Sequence, residues 1–283
     1  MKIKFLSVIS LLTMAAFLPF TACAQGGGKE TKNAEVSCPA GIDHGAWDRL
    51  LKKYVDARGL VNYAGWKSNA QDRKALDDYL KQFAAKAEQP AGGNEKAASL
   101  VNAYNAITIT TILNAYPVES IHETDKPFER KAWRIGGATI SLNDIEHGTL
   151  RPMLKYRAHS VLVCAARSCP PLQRFAYTAG SFEEQNGKAY RAWLGREELN
   201  KFMPRENKAQ ISEIFKWFKG DFQSSLNVPN VLQKYGPPAA KELTAAGGDK
   251  FEISYLSYNW GLNDQGEHGR HYNKINLLFD NIF

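Results

Sequence analysis

The sequence predicts an α+β fold, one domain of several helices packed on a small mixed or antiparallel sheet. Three observations carry this reading. Apolar residues recur at helical spacing in long stretches, above all over 44–67 and 96–117. A few short β-branched or alternating runs lie well apart from one another, at 136–144, 159–164 and 251–264. No internal repeat divides the chain, and its 283 residues suffice for one large core.

In chain order, "HGAWDRLLKKYVDARGLVNYAGWK" (44–67) sets Trp47, Leu50, Leu51 and Tyr54 at helical spacing. Gly59 is the expected stop, and Val61 to Tyr63 a short extended piece. A polar amphipathic helix over 70–88 should break at "QPAGG" (89–93). "KAASLVNAYNAITITTILNAYP" (96–117) ends in β-branched residues of poor helix propensity, yet its length argues for a buried helix. "GGATISLND" (136–144) reads as a strand or hairpin entering a helix, with Ser141 as N-cap and Asp144 three residues on. Glu146 to Leu150 then form a helix that stops before Pro152. "HSVLVC" (159–164) reads as a strand, helices follow over 182–195 and 227–245, and "FEISYLSYNWGLND" (251–264) closes as a strand.

The N-terminus has the layout of an export signal. MKIK is followed by an uncharged apolar run and then by the small and polar residues TACAQGGGKE. Ala22-Cys23-Ala24 fits ordinary signal cleavage, whereas Phe20-Thr21-Ala22-Cys23 resembles a lipoprotein box that would lipidate Cys23. The expected division is a signal over 1–22, a lipoprotein-type tether over 23–40 and a domain over 41–283. The protein would then sit at the periplasmic face of a membrane or in the cell envelope, lipid-anchored, or be soluble after ordinary cleavage. No later apolar run approaches the length of a membrane span. The net charge of +7 falls by two without Lys2 and Lys4, and no dense Lys/Arg block appears, which argues against nucleic acid as a partner.

Cys38, Cys164 and Cys169 remain for protein chemistry, so at least one thiol lacks an intrachain partner. In "HSVLVCAARSCPPL" (159–172) a Cys164–Cys169 disulfide would close a small loop, the default in an exported chain. Alternatively, Pro170-Pro171 would open a helix with Cys169 as its cap, where the helix N-terminus and Arg167 favour thiolate. His147, His159, Cys164 and Cys169 have metal-ligand chemistry, but their spacing matches no zinc signature, and no metal or cofactor is expected. Strand alternation would put His159 and Cys164 on opposite faces. Glu146 and His147 are adjacent on a helix and must serve different partners; Arg151 would pair with Glu146 or leave His147 as a general base. Asn102 and Asn105 share a face of the apolar helix, where they either tie loops down or orient a histidine or oxyanion.

"VNAYNA", "LNDIEHGTLR", "HSVLVCAARSCPPL", "ISEIFKWFKGDF" and "YNWGLN", in this order, resemble the domain family DUF547, and "WDRLLKKYVDARGLVNYAGW" also fits. The resemblance covers roughly residues 44–265. It implies that Asn102, Asn105, Glu146, His147, Arg151, His159, Cys164, Ser168, Cys169 and Pro170 are characteristic positions. Ala165 stands where that family usually has Gly, and Asn259 where Asp is common. The resemblance supplies no reaction, but its presence in intracellular plant proteins weighs against a simple disulfide staple.

Together these readings predict an exported domain with Cys169 as nucleophile, His147 or His159 as base, and Asn102 or Asn105 as orienting or oxyanion group. Glu146, Cys164, Arg151 and Ser168 would complete the site. Such parts suit acyl transfer or amide hydrolysis on envelope peptides or proteins, as in papain- or transglutaminase-like enzymes. The alternatives are a non-catalytic binding or scaffold lipoprotein stapled by Cys164–Cys169, and a thiol-disulfide protein, although C-x4-C is not its usual motif.

Overall fold

The computed structural model describes residues 33–272 apart from 87, 248 and 249; the expected export signal and Cys23 fall outside the described residues. Helix α1 (Gly45–Tyr54) buries Trp47, Leu50, Leu51 and Tyr54 against α2 (Tyr63–Ser68) and α3 (Ala70–Lys81). Aromatic stacking fixes this corner, with Trp47 on Tyr79 at 5.9 Å and Tyr54 on Trp66 at 4.6 Å. Helix α1 ends before Gly59 because Asp56 Oδ1 accepts from the amides of Arg58 and Leu60, closing a turn that competes with helix. Gly59 itself has φ +76°, and a Cβ there would lie 2.7 Å from the backbone of Pro171 and Leu172. Only glycine lets the chain leaving the thiol segment pass so close.

Helix α4 (Gly93–Ala115) is the central element, buried on almost every face. Its β-branched half stays helical because burial overrides propensity, and its threonines satisfy their hydroxyls internally: Thr108 donates to Tyr104 O and Thr110 to Ala106 O. A two-residue turn at Gly136-Gly137, both at positive φ, joins β1 (Trp133–Ile135) to β2 (Ala138–Ile140) in an antiparallel hairpin. Helix α5 (Leu142–Ile145) starts with the expected reciprocal cap between Ser141 and Asp144. It does not stop before Pro152. One π-helical turn, Glu146–Leu150, carries the chain into α6 (Arg151–Leu154), where Pro152 occupies the first turn and its missing N–H costs little.

Residues 159–164 are not a strand. Lys155–Ser160 form 3-10 turns, and the backbone groups of Val161 and Val163 bond to a side chain of α4 instead of a strand partner. After α7 (Phe182–Leu194) come β3 (Lys201–Met203) and β4 (Lys208–Ser212), then α8 (Ile214–Trp217) and α9 (Lys219–Gln223). The expected helix over 227–245 is two helices, α10 (Val228–Tyr235) and α11 (Pro238–Gly247), divided where Gly236 and two prolines break the ladder. Strand β5 (Glu252–Leu256) pairs parallel with β4, which pairs antiparallel with β3, giving a small mixed sheet. The expected strand over 251–264 therefore ends at Leu256, and the residues beyond it serve the site described below.

The domain begins earlier than residue 41. Val36 and Cys38 are buried, Val36 N donates to Thr149 Oγ1, and Ala34 N donates to Asp144 Oδ1. Burial pushes the Cys38 thiol up to about 11, as expected of an inert core thiol. Among the described residues no helix is long and apolar enough to cross a membrane. The architecture is α+β, with helices predominating over two small sheets.

Candidate active site

The thiol segment is shaped by two zips of hydrogen bonds. On one side Asn105 donates to Val161 O at 2.9 Å and accepts from Val163 N at 3.0 Å. On the other, the strip after β5 runs alongside: Arg167 N donates to Gly261 O, Asn263 N to Ala165 O, and Asn259 N to the Ser168 hydroxyl. Ala165, at φ +61°, turns the chain between the two cysteines. The result brings Cys164 Sγ and Cys169 Sγ to 2.7 Å, not joined in a disulfide.

Donors converge on Cys169. The Cys164 amide lies 3.2 Å from its sulfur and the Tyr258 hydroxyl 3.1 Å, and Tyr258 also stands 3.5 Å from Cys164. Burial opposes a thiolate here, yet the hydrogen bonds from Cys164 and Tyr258 outweigh it and hold Cys169 below the ordinary thiol value. The same hydrogen bond between the sulfurs, together with burial, pushes Cys164 well up. One thiol of the pair is thus poised to ionise and the other to donate to it. No helix begins at Pro170; each proline restrains the residue before it from helical backbone, so the expected cap is absent. Arg167 does not supply a charge to the sulfurs either, since its guanidinium bonds to the carbonyls of Asp264 and His268.

His159 shares a cleft with both sulfurs, together with Glu146 and Asn143. Its Nε2 donates to Asp221 Oδ2 at 2.8 Å, which Arg151 Nε also meets at 2.7 Å. The ring stacks on Phe218 at 4.2 Å. Burial keeps the His159 imidazole below its ordinary value in spite of Asp221. Burial also works against the Asp221 carboxylate, but hydrogen bonds from His159 and Arg151 prevail and bring it down to about 2. With Nε2 protonated towards Asp221, Nδ1 is the basic nitrogen, and it has no hydrogen-bond partner among the described residues. No hydrogen bond joins His159 to either sulfur; the two face each other only through the cleft.

The predicted residues divide accordingly. The cleft collects Cys164, Cys169, His159 and Glu146. His147 is not in it: its Nδ1 accepts from Arg151 Nη1 at 2.8 Å, so it buttresses the Arg151–Asp221–His159 chain from behind. The π-helical turn separates the adjacent pair, sending Glu146 inward to accept from the Tyr104 hydroxyl at 2.8 Å. Arg151 pairs with Asp221 and not with Glu146. Asn102 and Asn105 have all their amide groups engaged with backbone, Asn102 bonding both the N–H and the carbonyl of Tyr177. They hold the walls of the site and do not line it. Ser168 likewise fastens the Asn259 backbone.

Sequence reasoning missed Asp221, Tyr258, Tyr104 and Asn143 as site residues. Tyr258 and Asp221 lay within the quoted "YNWGLN" and "KGDF" motifs, the only signal that pointed to them. The Asn143 amide lines the cleft and has no side-chain hydrogen bond among the described residues. Among these residues no group of three or more His, Cys, Asp or Glu side chains is arranged to hold a metal ion.

No curated protein and no solved structure matches the chain. Over residues 89–194, the stretch that carries both asparagines, Glu146, His159 and the two cleft thiols, the chain matches the family model DUF547, described as a protein of unknown function.

Proposed function

We propose that this domain is a thiol-dependent acyltransferase or amide hydrolase. The observation that carries the reading is the convergence of the Cys164 amide and the Tyr258 hydroxyl on Cys169 Sγ, in a cleft that also holds the Asp221-oriented His159. The Cys169 proton passes to His159 Nδ1, and the sulfur adds to an amide carbonyl carbon. The Asn143 amide is the free donor available for the developing oxyanion. Collapse breaks the C–N bond, and His159 returns its proton to the departing nitrogen. Water or an amine, deprotonated by the same imidazole, then releases the acyl group and restores the thiol. Arg151 and Asp221 act through His159, as positioning residues.

Alkylation tests this directly. Iodoacetamide at pH near 6 is expected to label Cys169 in the folded protein without reductant, because a depressed thiol stays partly ionised where an ordinary one is under about one per cent thiolate. Cys164, with its raised value, should remain unlabelled until the chain unfolds. The 2.7 Å approach of the sulfurs supports a second reading, a binding or scaffold protein in which Cys164 and Cys169 are joined. Recovery of an intact 164–169 disulfide from freshly isolated protein, with no labelling before reduction, would decide for it.

We also infer export and lipid attachment at Cys23, with envelope peptides, amides or proteins as substrates. This rests on the signal-like N-terminus and its lipoprotein-type box. Mass spectrometry of the mature N-terminus should find an acylated Cys23; an unmodified terminus at Gln25 would show ordinary cleavage.

A further inference from the structure

Among the described residues Glu146 is the one carboxylate lining the cleft beside the thiols, and it is 8 % exposed. Its Oε2 accepts from Tyr104, whose phenol is held protonated by burial and by the carboxylate itself. Its Oε1 has no hydrogen-bond partner among the described residues. This oxygen is not sealed in the core but opens onto the cleft, where a donor that displaces water would meet it. Among the described residues no lysine or arginine lines the cleft; Arg151 is committed to Asp221 and His147. Apart from Asn143, His159 and Tyr258, the other described walls are apolar or aromatic, among them Phe128, Leu162, Trp217 and Trp260. The free space is about 50 Å³, room for a slender group and not for a folded segment.

We propose that Glu146 is a specificity-determining residue that takes an N–H of the substrate, so that the cleft accepts a slender carboxamide or primary amine and rejects a carboxylate. This rests on the reading of Cys169 as the nucleophile. The substrate class follows from three features acting together. The free oxygen accepts but cannot donate, a second anion would face Glu146 and the Cys169 thiolate with Arg151 screened from the cleft behind Phe218 and Asp221, and the aromatic walls favour a flat amide or an ammonium.

Two isosteric electrophiles measure this without knowledge of the natural substrate. Iodoacetamide and iodoacetate differ by an NH2 in place of a charged oxygen. Their rates of alkylation at Cys169 are compared, at pH 7, with those of 2-mercaptoethanol, and again in Glu146→Gln. The ratio of rates cancels any change in thiolate population that the substitution causes. The wild-type ratio, amide over carboxylate, should exceed that of the free thiol by roughly tenfold. In Glu146→Gln, which keeps an oxygen for the Tyr104 hydroxyl, it should fall back towards the free-thiol value. A wild-type ratio equal to that of 2-mercaptoethanol overturns the inference and leaves the nucleophile standing. This holds whether or not the variant folds. A raised ratio that survives in a folded Glu146→Gln protein places the discrimination elsewhere and overturns the assignment to Glu146. Failure of both reagents to reach Cys169 removes the nucleophile reading and this inference with it.

Discussion

Ala165 carries the turn that brings the thiols together, and it does so at φ +61° with its methyl group buried. That backbone region costs an L-residue about 1–2 kcal/mol, while glycine adopts it freely. The resemblance drawn from sequence places glycine at this position, and the strain gives that preference a physical cause. Ala165→Gly should stabilise the domain, by roughly 0.5–1 kcal/mol once the greater freedom of glycine in the unfolded chain is subtracted. Urea unfolding at neutral pH checks this, and a loss of stability would mean that the buried methyl outweighs the strain. Cys169 is singled out over Cys164 in the sequence on the expectation of a helix end, and the structure replaces that cause. Its ionisation is supported by Tyr258 and the Cys164 amide, not by a helix end. Tyr258 lies 89 residues away in the chain, and no local pattern reveals a contact of that kind.

At the scale of elements, α4 was the most legible part of the molecule, since an apolar run of its length has few other ways to be buried. The cost of a buried amide, about 1–3 kcal/mol when unsatisfied, left Asn102 and Asn105 as either loop ties or orienting and oxyanion groups. The structure shows them as ties and not as the catalytic groups expected. What the sequence hid was the consequence for residues 159–164. Their apolar run meets the requirement for strand-like burial, but the Asn105 amide supplies both hydrogen bonds that a neighbouring strand would make to Val161 and Val163. The chain is then free to reach His159 through 3-10 turns and to present it in the same cleft as the thiols. The π-helical turn had no sequence signal that periodicity could register. It widens the helix by one residue and so decides which of Glu146 and His147 enters the site. Residue types named the candidates, and these irregular turns chose among them.

Across the whole molecule, the buried charge system makes stability depend on pH, and the signs agree. His159 is held below its ordinary value by burial, and burial takes His122 to about 4. A histidine depressed in the fold contributes stability that is complete above the unfolded value of about 6.5 and is lost as pH falls towards the folded value. For His122, allowing for its partial exposure, this is on the order of 1–2 kcal/mol. Asp221, brought to about 2 by His159 and Arg151 against the cost of burial, adds stability present above the unfolded carboxylate value. That contribution, about 1 kcal/mol after solvent screening, disappears as pH falls from about 4 to 2. The urea midpoint should therefore hold near pH 7–8, decline between about pH 6.5 and 4, and decline again below that. General acid repulsion in a basic chain also lowers stability, so the decisive measurement is a difference. His159→Gln keeps a donor for Asp221 but cannot titrate, and its midpoint should fall less than that of the wild type between pH 7 and 5. Parallel curves for the two proteins over that range would show that the fold does not depress His159, and that burial and Asp221 cancel at that site.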